Sequence, residues 1–387
     1  MSRTTATLGA VAKGLALACG ATLVLTACGN SDSGTTAGTS GASGSATKLV
    51  YFMQPDTTPT RYLQQDGPDF KKAMAQLDPN VTVKFANAGG SAATQLSQVN
   101  AAIAAGAKAI VMVAADPNTS GSILQAAQTA KVPVIGYENP PLNGQMYAQV
   151  MFNPSEAGVL QAKYFASQVE SGALGAKPVT VARLYGNKGD VYTTQMLDGQ
   201  NSVLKPLIDN GAIKVVCEDY VANWDPANAQ KSAQQCLTKM QNKIGAFLGF
   251  YDGDTAGAIA AQKAAGVSIP TYGGQNPELS GLQYMLTGQQ QDNVLKPFSV
   301  EATAAAKLAV AAIKGEQPPA DLIKTTSDVG GGFKVPTALL DETFIHLEKG
   351  QDPGVAVQKA VDYGMFTWAQ ICTGPAEGTP TCKQKVG

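Results

Sequence analysis

From residue 48 onward the chain alternates short β-rich runs, several of them uninterrupted apolar, with helical stretches, and that beat dictates the fold. "KLVYFM" (48–53), "VTVKFA" (81–86), "AIVMV" (109–113) and "VPVIGY" (132–137) read as strands. Between them, helices are expected near 69–77, 92–105 and 120–130, the second with Leu96, Val99 and Ile103 on one face. A second series follows, with strands at 179–185, 212–220, 246–251 and 268–274 between helices at 155–170, 193–210, 226–241 and 255–265. Strands without polar alternation are buried on both faces, which requires parallel sheets covered by helices. The expectation is an α/β chain with two doubly wound parallel-sheet lobes.

Such sheets place ligands beyond the carboxyl ends of their strands. The loops there are "QPDTTPTRY" (54–62), "NAGGS" (87–91), "AADPNTS" (114–120), "ENPPLNG" (138–144), "GNKGDVY" (186–192), "YDGDT" (251–255) and "GGQNPE" (273–278). They carry hydroxyls, amides and carboxylates but few cations. Neither GxGxxG nor GxxxxGK[ST] occurs, so phosphates are not the expected ligand class. A net charge of -1 with 28 Lys plus Arg gives no footprint for nucleic acid.

Ahead of the first strand, a weakly positive start and the apolar stretch Leu15 to Leu25 read as an export signal, residues 1–27. Leu25, Thr26 and Ala27 lead into Cys28, which resembles the lipobox of bacterial lipoproteins; that resemblance implies lipidation of Cys28. Residues 29–47 hold no apolar residue larger than alanine, so 28–47 is expected to act as a flexible tether. With Cys19 and Cys28 in the signal, Cys217, Cys236, Cys372 and Cys382 remain. Two disulfides are expected in an exported chain, and pairing of sequence neighbours is the simplest of three connectivities. No pair has CxxC spacing and His346 is the sole histidine, so no metal is expected.

An enzyme reading finds little support. His346 lies outside the strand-end loops, and "SVLK" (202–205) sits within an amphipathic helix without companion motifs. Asp252 and Asp254 resemble an acid/base pair only superficially, since one is better placed as a helix cap. No catalytic residue and no cofactor are expected.

Several segments together resemble the periplasmic sugar-binding proteins of ABC transporters (type I fold), and within them the D-xylose-binding branch. They are "TQLSQVNAAIAAGAKAIVM" (94–112), "AGVLQAKYFA" (157–166), "VLKPLIDNGAIKVV" (203–216), "NWDPANA" (223–229), "DGDTAGAIAAQKAAG" (252–266), "GGQNPELSGL" (273–282) and "VLKPF" (294–298). The resemblance implies two lobes joined by a three-strand hinge. The first would comprise 48–153 plus 297–325, the second 154–296 plus 326–345, with 346–387 as a C-terminal extension. It implies a monomeric receptor on the outer face of the cell membrane, held by its lipid anchor, that delivers a monosaccharide or polyol to a permease and its ATPase.

On that pattern Arg61, Asp190, Trp224, Asp252 and Lys296 keep ligand residues of the xylose binders, and Tyr62 stands where those proteins carry a tryptophan. Asn139, Tyr192, Tyr251 and Asn276 stand at ligand positions where those proteins carry other residues. Charged donors and acceptors at a pyranose rim, with aromatic plates over its faces, suit a sugar. The rival ligands are a nucleoside sandwiched by Tyr62, Tyr192, Tyr251 and Trp224, or another small polar molecule; a secreted carbohydrate-acting enzyme is the rival from another class.

Overall fold

The computed structural model describes residues 48–387. The expected signal, tether and lipidated Cys28 lie outside the described residues. Five strands, β1 (Lys48–Gln54), β2 (Val81–Asn87), β3 (Ala109–Met112), β4 (Val134–Tyr137) and β5 (Ala148–Phe152), open the first lobe. Four more, β6 (Val179–Tyr185), β7 (Ile213–Tyr220), β8 (Ala246–Gly249) and β9 (Thr271–Gly273), form the second. The chain then runs through β10 (Asp292–Leu295), β11 (Thr325–Asp328), β12 (Lys334–Leu340) and β13 (Thr343–His346).

The first sheet has seven strands in the order β11-β12-β5-β4-β3-β1-β2, the second four in the order β7-β6-β8-β9, and β10 pairs antiparallel with β13. All residues of β3, β4 and β5 are buried, as parallel strands covered on both faces require. β5 is apolar apart from Gln149 but was not among the expected strands.

Three crossings join the lobes. Asn153 ends β5, and its side chain accepts from Glu156 N while Pro154 opens the helix Pro154–Glu170. Lys296 and Pro297 lead from β10 to the helix Phe298–Lys314, whose alanine-rich face packs on the first sheet. Asp341 and Glu342 link β12 to β13.

The last return differs from the expected boundary. Residues 326–340 were expected on the second lobe, yet β12 pairs with β5 over Thr337–Leu340, and β11 pairs with β12. Backbone pairing extends the first sheet by two strands, and the second lobe regains the chain only at β13. The extension is divided into short helices. Gly364 at φ 69° stops the helix Pro353–Asp362, and Thr367 caps a separate turn, Trp368–Ile371. Val357, Ala360, Ile371 and Ala376 pack against Leu282, Met285 and Leu286 of the helix Leu279–Leu286. The disulfides join Cys217 with Cys236 and Cys372 with Cys382.

Close helix contact aims one site residue. A Cβ at Gly158 would fall 2.2 Å from Met196 O, and one at Gly199 would fall 2.1 Å from Ser155 O. Only glycine lets the helices Pro154–Glu170 and Val191–Asp209 approach this closely, and the second carries Tyr192 into the space between the lobes.

Candidate functional site: the cleft between the lobes

The loops after β1, β4, β6, β7 and β9 converge on a narrow cavity of about 40 Å³. Tyr62 and Asn139 reach it from the first lobe, and Asp190, Tyr192, Trp224 and Asn276 from the second. Six of the residues expected at a ligand are therefore brought together. Pro59, Glu138 and Gln275 also line it. None of these three was singled out, although all sit in strand-end loops and Glu138 and Gln275 directly precede residues that were.

Backbone strain concentrates here. Glu138, Asn223, Trp224 and Asn276 hold φ between 52° and 59°, a region that costs non-glycine residues about 1–3 kcal/mol. Trp224 is kept by its surroundings: its indole N–H donates to Asp190 Oδ2 at 2.9 Å, and Asn187 Nδ2 donates to Asp190 Oδ1 at 3.2 Å. Its ring lies so close to Gly186 that a Cβ there would fall 1.9 Å from it. Burial pushes the Asp190 carboxyl up, against the pull of those two donors.

Arg61 faces away from the cavity. Its nitrogens meet Asp66 Oδ2 at 2.7 Å, Asp66 Oδ1 at 2.8 Å, Glu301 Oε2 at 2.6 Å, Glu138 Oε1 at 3.0 Å and Asn276 Oδ1 at 3.1 Å. Four of these contacts are hydrogen bonds and the fifth, to Glu138, is an ion pair, so the guanidinium directs nearly all its donors into the wall. Phe298 stacks below, 4.0 Å from ring centre to guanidinium carbon. Arg61 therefore acts as a buttress that holds Glu138 and Asn276 in place.

Lys296 plays a similar part. Its ammonium pairs with Glu138 Oε1 at 2.9 Å and lies 4.0 Å over the centre of the Tyr192 ring. The Tyr192 hydroxyl donates to Gln275 Oε1 at 2.8 Å. Burial raises the Glu138 carboxyl, but the nearby Lys296 and Arg61 charges lower it more, so it stays below the usual glutamate range.

Tyr251 and Asp252 also stand behind the wall. Tyr251 meets the edge of Trp224 at 5.8 Å and donates to Glu278 Oε1 at 3.2 Å. Asp252 is fully buried; Gln290 Nε2 and Asn293 Nδ2 donate to its Oδ1 at 2.9 and 2.7 Å, and Glu278 N to its Oδ2 at 2.6 Å. These bonds tie down the loop that presents Gln275 and Asn276. Asp254 accepts from Tyr251 N at 3.2 Å in a capping box. Neither aspartate lines the cavity, so the pair has no substrate to act on there.

The lobes touch on several sides of this space. Besides Arg61 to Asn276, Thr60 Oγ1 meets Glu278 Oε1 at 3.5 Å, and Asn118 Nδ2 donates to Gly189 O at 3.1 Å. Two buried acceptors at the cavity, Glu138 Oε2 and Asn139 Oδ1, have no partner among the described residues. Among those residues there is also no cluster of His, Cys, Asp and Glu fit to hold a metal, and no helix long and apolar enough to cross a membrane.

Two α/β lobes joined by three crossings around a polar cleft define the architecture of a two-lobed solute-binding protein. Residues 50–317 match the family described as "Periplasmic binding protein domain", and the chain belongs to it. A D-xylose-binding periplasmic protein of Escherichia coli (strain K12) is 31% identical over 282 residues, 72% of this chain and 80% of the relative. A xylitol-binding protein of Mycolicibacterium smegmatis is 28% identical over 330 residues, 82% of this chain and 83% of the relative. A solved ABC transporter solute-binding protein from Clostridium phytofermentans, with bound β-D-glucose, shares the fold at a TM-score of 0.73 and 24% identity. That match covers 84% of this chain and all of the other.

Proposed function

We propose that this protein is the extracytoplasmic receptor of an ABC sugar importer: it captures a neutral monosaccharide or polyol between its lobes and presents the closed form to a permease and its ATPase. Cys28, as a lipidated anchor, would keep it at the outer face of the membrane. The single observation that carries this reading is the makeup of the cavity wall. Tyr62, Tyr192 and Trp224 supply aromatic surface, while Asn139 Oδ1 is a buried acceptor with no partner among the described residues. Buried acceptors are normally satisfied, and a ring of hydroxyls both donates to them and lays its C–H faces on aromatic surface. The named ligands of the relatives, D-xylose and xylitol, have this chemistry.

Specificity follows from the same wall. Its only charged liners are the carboxylates Glu138 and Asp190, so a phosphate or carboxylate group would meet repulsion. A few charge-assisted hydrogen bonds of about 1.5–3 kcal/mol each supply micromolar binding. Calorimetric titration with D-xylose, D-glucose, xylitol, myo-inositol and adenosine tests the proposal. Binding of at least one sugar or polyol with micromolar Kd is expected. Binding of adenosine alone, or cleavage of an added oligosaccharide, overturns it.

A further inference from the structure

Gln149 is the one polar residue of β5, and the sheet around it explains what it faces. β12 pairs with β5 in a register that sets Thr337 beside Gln149 and Leu339 beside Met151. Residues two apart on a strand share a face, so these four stand together on one side of the first sheet. Gln149, Met151 and Leu339 border a cavity of about 170 Å³ that has no lining residue in common with the cleft cavity. Pro140 and Pro154 close it on the first-lobe side, and Val191 of the helix Val191–Asp209 closes it from the second lobe. Gln195, Thr325 and Asp328, all exposed, mark its mouth.

Inside this mainly apolar wall one polar atom is left over. Gln149 is 2% exposed, and its Oε1 has no partner among the described residues. The amide is held in one sense. Its Nε2 donates to Thr337 Oγ1 at 3.0 Å, while the Thr337 hydroxyl donates onward to Ser327 Oγ at 2.8 Å or Val335 O at 3.0 Å. With that hydrogen engaged, Thr337 can only accept from Gln149, which keeps the amide nitrogen on its side and Oε1 free. Buried acceptors of this kind normally have a partner. The only charged liner is Asp328, so an anion has no counter-charge there. An apolar cavity of about 150 Å³ holds a body the size of benzene.

We infer that this cavity is a second ligand site, for a small neutral molecule with a compact apolar body and one O–H donor, a phenol or a cyclic alcohol, that donates to Gln149 Oε1. Both lobes line the site, and its segments continue into the cleft: Val191 directly precedes Tyr192, and Pro140 directly follows Asn139. A molecule that touches both lobes favours their close approach, and so does a ligand in the cleft. Each should therefore tighten the binding of the other. The site stands on its own geometry; only the coupling rests on the receptor reading above.

Phenol is the probe and toluene its counterpart without a donor, each titrated into the purified full chain by calorimetry and ligand-observed NMR. Saturable binding of one phenol per chain is expected, with a Kd of about 1 mM or tighter. Leu339→Trp fills the cavity and should weaken phenol tenfold or more; Leu339→Phe serves if the larger ring impairs folding, and should weaken it threefold or more. Gln149→Met removes the acceptor and should lower the ratio of phenol to toluene affinity by tenfold or more. Saturating phenol should lower the Kd for D-xylose, or for whichever sugar or polyol named above binds most tightly, by threefold or more, and Leu339→Trp should abolish that effect. No saturable phenol binding, meaning a cavity that holds water alone, overturns the inference. Phenol binding that a folded Leu339→Trp leaves unchanged overturns it as well, since the molecule then sits elsewhere. An unchanged phenol-to-toluene ratio in Gln149→Met overturns the donor contact, and an unchanged sugar Kd under phenol overturns the coupling. If no sugar or polyol binds at all, the receptor reading and the coupling fall, while the phenol titration still decides the site.

Discussion

On the first-lobe side of the cleft, Arg61 and Lys296 meet Asp66, Glu138 and Glu301 in a dry ionic cluster. The second-lobe side instead presents Trp224 and Asn276 on left-handed backbone, with Asp190 as its one carboxylate at the cavity. The first wall directs its charges at itself and holds one left-handed residue, Glu138, while the second relies mainly on strained backbone and glycine-enabled contacts. Fixed polarity on one side and enforced shape on the other are two ways to preorganise a site. They should fail differently when broken.

The largest effect is expected from Arg61→Leu. Removing one partner of a buried ion cluster leaves the others uncompensated, at a cost of about 3–5 kcal/mol. Asp66, Glu138 and Glu301 would lose their shared cation, so urea melts should show a large loss of stability along with lost binding. Unchanged stability would mean that the cluster does not hold the first wall.

Next comes the brace of the second wall. The extension packs on the helix Leu279–Leu286, which directly follows the loop carrying Gln275 and Asn276. Gln283 Nε2 donates to Thr373 O at 2.9 Å, and Gln65 Nε2, from the first lobe, reaches Met365 O at 3.3 Å. Replacing Cys372 and Cys382 together by serine removes a cross-link worth about 2–4 kcal/mol. Hydrogen exchange over 273–286 should rise more than exchange over 54–66. Equal rises on both sides would show that the extension braces the whole molecule and not one wall.

Gly186→Ala strikes the second wall directly. The new Cβ meets the Trp224 ring at 1.9 Å, so the indole must leave its place. Overpacking of this kind costs about 1–3 kcal/mol, less than the loss of Arg61, yet sugar affinity should fall by tenfold or more. A shifted tryptophan emission with intact far-ultraviolet circular dichroism would separate displacement from unfolding. Unchanged affinity would show that Trp224 is not a contact surface.

The contrast between the walls also explains what was legible in the sequence. Apolar strands such as "AIVM" announce a covered parallel sheet because burial leaves no polar position in them. Loops at strand ends were legible for the same topological reason, and Asn139, Asp190, Tyr192, Trp224 and Asn276 do meet at the cavity. The direction of a charged side chain was not legible. Arg61 turns from the cavity because Asp66 and Glu301 hold it, and Glu301 lies 240 residues away in sequence. Asp252 was misread likewise, since Gln290 and Asn293 become its donors only after the second lobe has folded. Residues 326–340 carry an ordinary strand pattern that suits either lobe; only the pairing of β12 with β5 decides which.

A pH dependence tests the charge balance of the first wall. Glu342, at the third crossing, has both carboxyl oxygens buried without a partner among the described residues. Burial first, and then the charges of Glu138, Glu156 and Asp341, push its carboxyl up to about 8, against the pull of Lys296. A carboxyl raised on folding keeps its proton in the native state while the unfolded chain releases it. Its stabilising contribution is therefore complete below the unfolded value near 4.5 and is lost as pH rises through about 8. The slope from one such group cannot exceed about 1.4 kcal/mol per pH unit. Asp252 and Asp292 in the second lobe are held at about 8 and about 7 by burial, so they contribute in an overlapping window. Denaturation midpoints from pH 5 to 9 should fall for the native chain and fall less steeply for Glu342→Gln. Identical slopes would mean that Glu342 is already ionised beside Lys296, and that the first wall carries one more negative charge than its pairing implies.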